Sequence, residues 1–249
     1  MNTAAALTGR QRRLLMSDKI LVPSIEKRMA SLIELGRRNL TGYSVTDTAQ
    51  SFPTITISRE FGCEAFPVTA RLKELFEAKS KVAWQVMDKA LLEEIGKNNQ
   101  LSEGILNSLG EGKNRFLDDM ISTFSPRWKS DKDHYKLLCK QITALATSGN
   151  CILVGRGSAI LTQDMGNCFQ FRIVAPQEFK VRSISKRLNI SADEAEKLIA
   201  KKQKQRDDFI KDFLNRDVKD INLYHLVFNN GKNSAAKIAE TIFHYVTAK

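Results

Sequence analysis

The residues best suited to chemistry are arginines that stand beside glycines at two points of the chain. The first is the run Ser58-Arg59-Glu60-Phe61-Gly62-Cys63-Glu64-Ala65-Phe66; the second is Gly155-Arg156-Gly157. Each follows a short apolar run, TITI at 54–57 and CILV at 151–154, of the type that fills a buried strand. In α/β sheets, ligands sit just beyond the carboxyl ends of parallel strands, so both turns face one crevice. Guanidinium forks and backbone amides gathered there suit phosphate, because they offer charge-assisted, paired hydrogen bonds to oxyanions. Gly155 and Gly157 would also let backbone approach a ligand closely.

The elements that must hold these groups alternate between strands and helices. Strands are expected at 55–57, 82–87, 151–154, 169–174 and 226–228. A helix starting at Pro67 places Val68, Leu72, Leu75 and Phe76 inward, and Asp88 opens another. Helical patterns follow at 101–109, 115–124 and 135–146, and a last helix carries Ile238, Ile242 and Tyr245. Strands separated by helices imply an α/β fold with a mainly parallel five-stranded sheet covered on both faces. Residues 176–215 form a basic helical hairpin containing Arg182, Arg187 and Arg206. Its second helix opens on Ser191-Ala192-Asp193-Glu194, which has capping-box spacing. Such a hairpin, over the strand ends, has the shape of a lid; a solvated basic face is the alternative for any single residue. Residues 1–52 read as a basic N-terminal extension, with a helix from Pro23-Ser24 and a polar linker, and 53–249 as the main domain. The extension could dock on that domain or pair two copies as a homodimer.

Composition narrows the partners. The chain of 249 residues carries 39 basic and 28 acidic side chains, a formal charge of +11, which favours anionic ligands. A nucleic-acid role ranks lowest, because the interleaved aromatics and glycines of RNA-binding sheets are missing and the basic residues concentrate in one hairpin. Cys63, Cys139, Cys151 and Cys168 show no C-x-x-C spacing, and His134, His225 and His244 are scattered, so no protein metal site is readable. That pattern fits a reducing cytoplasm. No apolar run reaches the roughly 18 residues of a membrane span.

Taken in order, ISREFG, W-x-x-M-D-K-A-L-L, VGRG, R-x-x-x-x-R-L, K-Q-R and LYHLVFNNG resemble the cytidylate kinase-like family of P-loop nucleoside monophosphate kinases over about residues 53–247. The resemblance implies a P-loop kinase-type three-layer fold and a mobile lid. It also implies transfer of the γ-phosphoryl of ATP, carried with Mg²⁺, to a nucleoside monophosphate, CMP or dCMP first among them. It assigns Arg59, Arg156, Arg182, Arg187 and Arg206 to the phosphates. Ser58, Gly62, Cys63, Thr69, Gly155 and Gly157 would form the phosphate turns, and Asn229 and Asn230 the adenine side. Asp88, Arg115 and Arg127 would lie towards the acceptor, with Asp118, Asp119 and Trp128 nearby. Glu60 and Asp88 are candidate magnesium-side or substrate-side carboxylates, and for Glu60 the alternative is a salt bridge to a nearby arginine.

The first turn departs from a standard phosphate loop. G-x-x-x-x-G-K-[ST] supplies close amides, a lysine and a metal-holding hydroxyl. Here Gly62 alone keeps its place, while Glu64, Ala65 and Phe66 stand where a glycine, the lysine and the hydroxyl are expected. Arg59 is the replacement cation on offer, and Thr69 could cap its helix or reach a phosphate-bound metal. Two readings follow: an active nucleoside monophosphate kinase, or a nucleotide-binding protein of the same fold that has lost transfer and works through partners.

Overall fold

The computed structural model describes residues 52–97 and 132–248, together with Ile25 and Met29 of a helix nearer the N-terminus. The helices expected at 101–109 and 115–124, the candidates Arg115 and Arg127, and nearly all of 1–52 lie outside the described residues. Met29 packs against the core of the main domain, so the N-terminal helix touches it at that point.

Five strands form one sheet, all parallel, in the order β2-β3-β1-β4-β5. They are β1 (Thr54–Arg59), β2 (Gln85–Met87), β3 (Cys151–Val154), β4 (Cys168–Val174) and β5 (Leu226–Asn229). Around them run α1 (Ala65–Ser80), α2 (Lys89–Lys97), α3 (Lys132–Ser148), the single turn α4 (Ser158–Leu161), α5 (Gln177–Leu188), α6 (Ala192–Leu214) and α7 (Ala235–Thr247). Four strands lie within a residue or two of their expected bounds at each end. β2 is shorter than expected: its partner β3 begins at Cys151, opposite Gln85, so Val82 and Ala83 have no strand to pair with and stay exposed. α1 starts at Ala65, two residues before the expected Pro67, which sits in the first turn, where its missing N–H costs nothing.

Pleating sorts the side chains between two cores, since alternate residues of a strand face opposite ways. Ile55, Ile57, Phe169, Phe171 and Ile173 join α1 and α7 on one side, where Phe76 stacks on Trp84 with ring centroids 4.1 Å apart. The other face carries Cys151, Leu153 and Cys168 against α2, α3 and α6. On this second face β1 and β4 are polar: Thr54, Thr56 and Ser58 alternate with the Ile pair, and Gln170 and Arg172 with the Phe pair. Thr54 Oγ1 donates to Ala146 O at 2.9 Å, and Gln170 Nε2 donates to Thr162 O at 2.9 Å. Polar groups thus continue from the sheet interior to its carboxyl edge.

The hairpin of α5 and α6 closes over that edge on its own small core of Val181, Ile184, Ala195 and Ile199. The expected capping box is present: Ser191 Oγ accepts from Glu194 N, while Glu194 accepts from Ser191 N. Among the described residues no helix is long and apolar enough to cross a membrane.

Candidate phosphate-binding cavity

A cavity of about 490 Å³ opens between the carboxyl ends of β1 and β3, α4, and the inner face of α6. Ser58, Arg59, Gly155, Arg156, Gly157 and Arg206, all singled out in the sequence, line it. So do Arg172 and Tyr224, which were not. Among the described residues the lining holds six cationic side chains, Lys89 and Lys202 completing the set, and one carboxylate, Asp207.

The turn after β3 is built by backbone geometry that few residues accept. Gly155, Arg156 and Gly157 all have positive φ, 76°, 58° and 75°. An L-residue pays roughly 1–2 kcal/mol for that region, so the strain falls on Arg156. The glycines do more than free the backbone. A Cβ on Gly155 would lie 2.0 Å from Arg59 Nη1, and one on Gly157 would lie 2.3 Å from Leu214 Cδ1. Gly155 therefore makes room for the Arg59 guanidinium, and Gly157 for the packing of α6. These close approaches are made by the protein's own side chains.

The guanidinium groups crowd together. Arg206 Nη1 donates to Arg59 O at 3.2 Å and stacks on Phe61, 5.1 Å from its ring centroid. Burial, then the nearby Arg206, lowers Arg59 to about 9 despite the opposing field of Asp88. Burial also lowers Arg206. Arg156 lies 4.8 Å above the Phe209 ring and pairs with Glu93, but its Nε is buried without a partner. Cations pressed together and dried in this way favour a bound anion, which would offset both penalties.

The turn after β1 is held differently. Phe61 N donates to Gln203 Oε1 at 2.8 Å, Glu64 N to Asn230 Oδ1 at 2.8 Å, and Cys63 N to Glu60 O at 3.4 Å. With Glu60 N donating to Ile173 O at 3.1 Å, four amides of the loop are bonded within the protein, three of them to other elements. Gly62, at φ 100°, lies against Lys180 of α5, where a Cβ would come within 2.7 Å of another Cβ. Glu60 pairs with Lys180 at 3.0 Å; the salt-bridge reading of Glu60 holds, with a lysine as partner. Cys63 is buried, and burial followed by Glu60 pushes its thiol up to about 12. Thr69 is fully buried and donates to Phe66 O at 2.8 Å, a bond within its own helix, so it reaches no ligand here.

The other expected residues lie off the cavity. Arg182 and Arg187 are exposed on α5 and contribute nothing to its lining. Asp88 caps α2 by accepting from Leu91 N at 3.0 Å. Asn229 Oδ1 accepts from Gly231 N at 2.9 Å, and Asn230 ties its turn to Glu64. Both asparagine side chains shape the turn after β5. Sequence reading missed Arg172, Tyr224, Glu93 and Phe209. For Arg172 a signal was there: a charge within the apolar strand CFQFRIV. Tyr224 stands within LYHLVFNNG without being singled out, and nothing local marks Glu93 or Phe209. Among the described residues no group of three His, Cys, Asp or Glu could hold a metal ion.

No curated protein matches the chain. A solved structure of an uncharacterized protein from Eubacterium ventriosum is similar, with TM-score 0.63 and 20% identity over 79% of this chain and 99% of that one. TT1252 from Thermus thermophilus (TM-score 0.38, 15% identity, 80% and 98% covered) and a dephospho-CoA kinase from Campylobacter jejuni (TM-score 0.34, 9% identity, 79% and 98% covered) are more distant. The sequence itself matches the cytidylate kinase-like family over residues 54–232, from the first residue of β1 to just past β5. With an all-parallel sheet in which β1 lies between β3 and β4, and arginines gathered at its carboxyl edge, the chain belongs to the cytidylate kinase-like family.

Proposed function

We propose that this protein is a phosphotransferase that moves the γ-phosphoryl group of ATP to a nucleoside monophosphate, CMP or dCMP first among acceptors. The observation that carries the reading is the cavity with six cations and one carboxylate at the sheet edge. Phosphoryl transfer needs little covalent help from a protein: positioning and neutralising charge on the equatorial oxygens do most of it. Arg59 and Arg206 would face the phosphoryl group in flight. Arg156 would hold the acceptor phosphate from the neighbouring turn, its Phe209 contact fixing the plane of the guanidinium. None of these groups exchanges a proton with the substrate; each orients it and balances its charge.

The ATP side fits in part. The lysine-free loop after β1 has four of its amides bonded within the protein, so the triphosphate would rest chiefly on guanidinium groups. The hairpin grips that loop through Glu60–Lys180 and Gln203–Phe61, contacts that a nucleotide entering the loop would have to break. Mg²⁺, which neutralises phosphate charge when bound, would be carried by the nucleotide, with Asp88 a carboxylate whose field reaches Arg59. Four free, buried cysteines suit work in the reducing cytoplasm.

The internally bonded loop favours a second reading, a nucleotide-binding protein without transfer. A coupled assay of ADP release against a panel of monophosphates, run beside binding titrations, separates the two. Turnover with a pyrimidine monophosphate supports the kinase; tight binding with no turnover supports the second reading; neither binding nor turnover removes both.

A further inference from the structure

Deep in the same cavity, Arg172 is only 4% exposed, yet among the described residues no carboxylate pairs with its charge. The register of β1 and β4 sets it opposite Ser58, and the pleat puts both on the polar face of the sheet. Its Nη1 donates to Ser58 Oγ at 3.0 Å, and the guanidinium lies 5.7 Å from the Tyr224 ring centroid. The Tyr224 hydroxyl donates to Val218 O at 2.8 Å and stands 3.2 Å from Ser58 Oγ. A neutral hydroxyl and a ring face are weak company for a buried cation, which ordinarily needs a paired charge to offset its desolvation. Elsewhere in the lining Arg156 has Glu93, and Gln170, two residues before Arg172 on the same face, bonds Thr162. A guanidinium has five donors in a fixed fork, and that of Arg172 borders the cavity.

We propose that Arg172, Ser58 and Tyr224 form an oxyanion subsite at the floor of the cavity, separate from the Arg59–Arg156–Arg206 cluster. The subsite deepens the nucleotide reading and rests on it: a phosphate oxygen of the bound nucleotide takes the place of the missing carboxylate. The ligand class is a phosphate ester or the free anion. Occupation of both groups at once would orient a ligand with two anionic ends, or two ligands held end to end.

The test is calorimetric titration of the full chain with inorganic phosphate, CMP and ATP in turn, so that the affinity that moves identifies the source of the oxyanion. Arg172→Met keeps the length of the side chain and removes the fork; at least one of the three affinities should fall tenfold or more. Because that variant could fail to fold, Ser58→Asp supplies a second route. It places a carboxylate against Arg172, so the protein should melt at or above the parental temperature while losing the same affinity. Arg156→Ala serves as the reference for the other cluster. Parental affinities in folded R172M or S58D, beside a loss in R156A, would overturn the subsite alone. A parent that binds none of the three probes would overturn the nucleotide reading and the subsite with it.

Discussion

Replacing Gly155 with alanine should damage ligand binding by displacing Arg59. The new Cβ would lie 2.0 Å from Arg59 Nη1 and 2.9 Å from its Cζ, so the guanidinium must leave its place. The atoms in the way are the far end of a long side chain, which can swing aside. The stability loss should therefore come mainly from the backbone: φ at Gly155 is 76°, and alanine in the left-handed region costs roughly 1–2 kcal/mol. Binding should suffer more. A charge-assisted hydrogen bond contributes about 1.5–3 kcal/mol, so displacing Arg59 should weaken phosphate-bearing ligands by roughly ten- to a hundredfold. Gly157→Ala provides the comparison. Its φ is 75° and its Cβ would meet Leu214 Cδ1 at 2.3 Å, an apolar contact on α6, so it should lose similar stability with affinity close to parental. Thermal melts and calorimetric titration with ATP and CMP read the two effects separately. Parental affinity in Gly155→Ala, or an equal loss in both variants, would refute the idea that this glycine exists to seat Arg59.

Three further outcomes follow from the same geometry. Arg156→Ala should weaken phosphate-bearing ligands by about 1.5–3 kcal/mol, read by titration of the folded variant; its Glu93 partner is half-exposed, so folding should change less. Arg206→Ala should lower affinity, while Arg182→Ala and Arg187→Ala, both exposed and off the cavity, should leave ground-state binding unchanged; a loss in either of those would show that α5 swings inward over the ligand. Arg59 sits at about 9 in the free protein, and a bound phosphate raises it, so binding takes up a proton above that pH. Affinity should then be level from pH 7 to about 8.5 and fall as pH rises through about 9; an affinity unchanged to pH 10 would remove Arg59 from the linkage.

The sheet was legible because its strands are short runs of buried residues bounded by turns, and TITI and CILV need no tertiary knowledge to be read as central strands. The hairpin was legible from Ser191 and Glu194, a local capping pattern that the fold has no reason to override. Arg59 and Arg156 could be found because glycines flag the turns that hold them. What those glycines make room for was not readable: the atoms that approach Gly155 and Gly157 come from Arg59 and Leu214, far away in sequence. Arg182 and Arg187 are the opposite case. Helical spacing puts basic residues on α5, but only the packing of Val181 and Ile184 decides which face turns inward, and theirs turns out to solvent. The β1–α1 loop was read as departing from a phosphate loop, and the structure adds the reason its amides are occupied: Gln203 and Asn230, from α6 and the turn after β5, accept from them.

The measurement that bears most directly on phosphotransferase activity is transfer of label from γ-labelled ATP to CMP by the full chain, with Arg156→Ala alongside. Labelled CDP should form with the parent and fall sharply with the variant. Tight binding of both nucleotides with no labelled CDP would contradict the kinase reading and leave a protein that holds nucleotides without joining them.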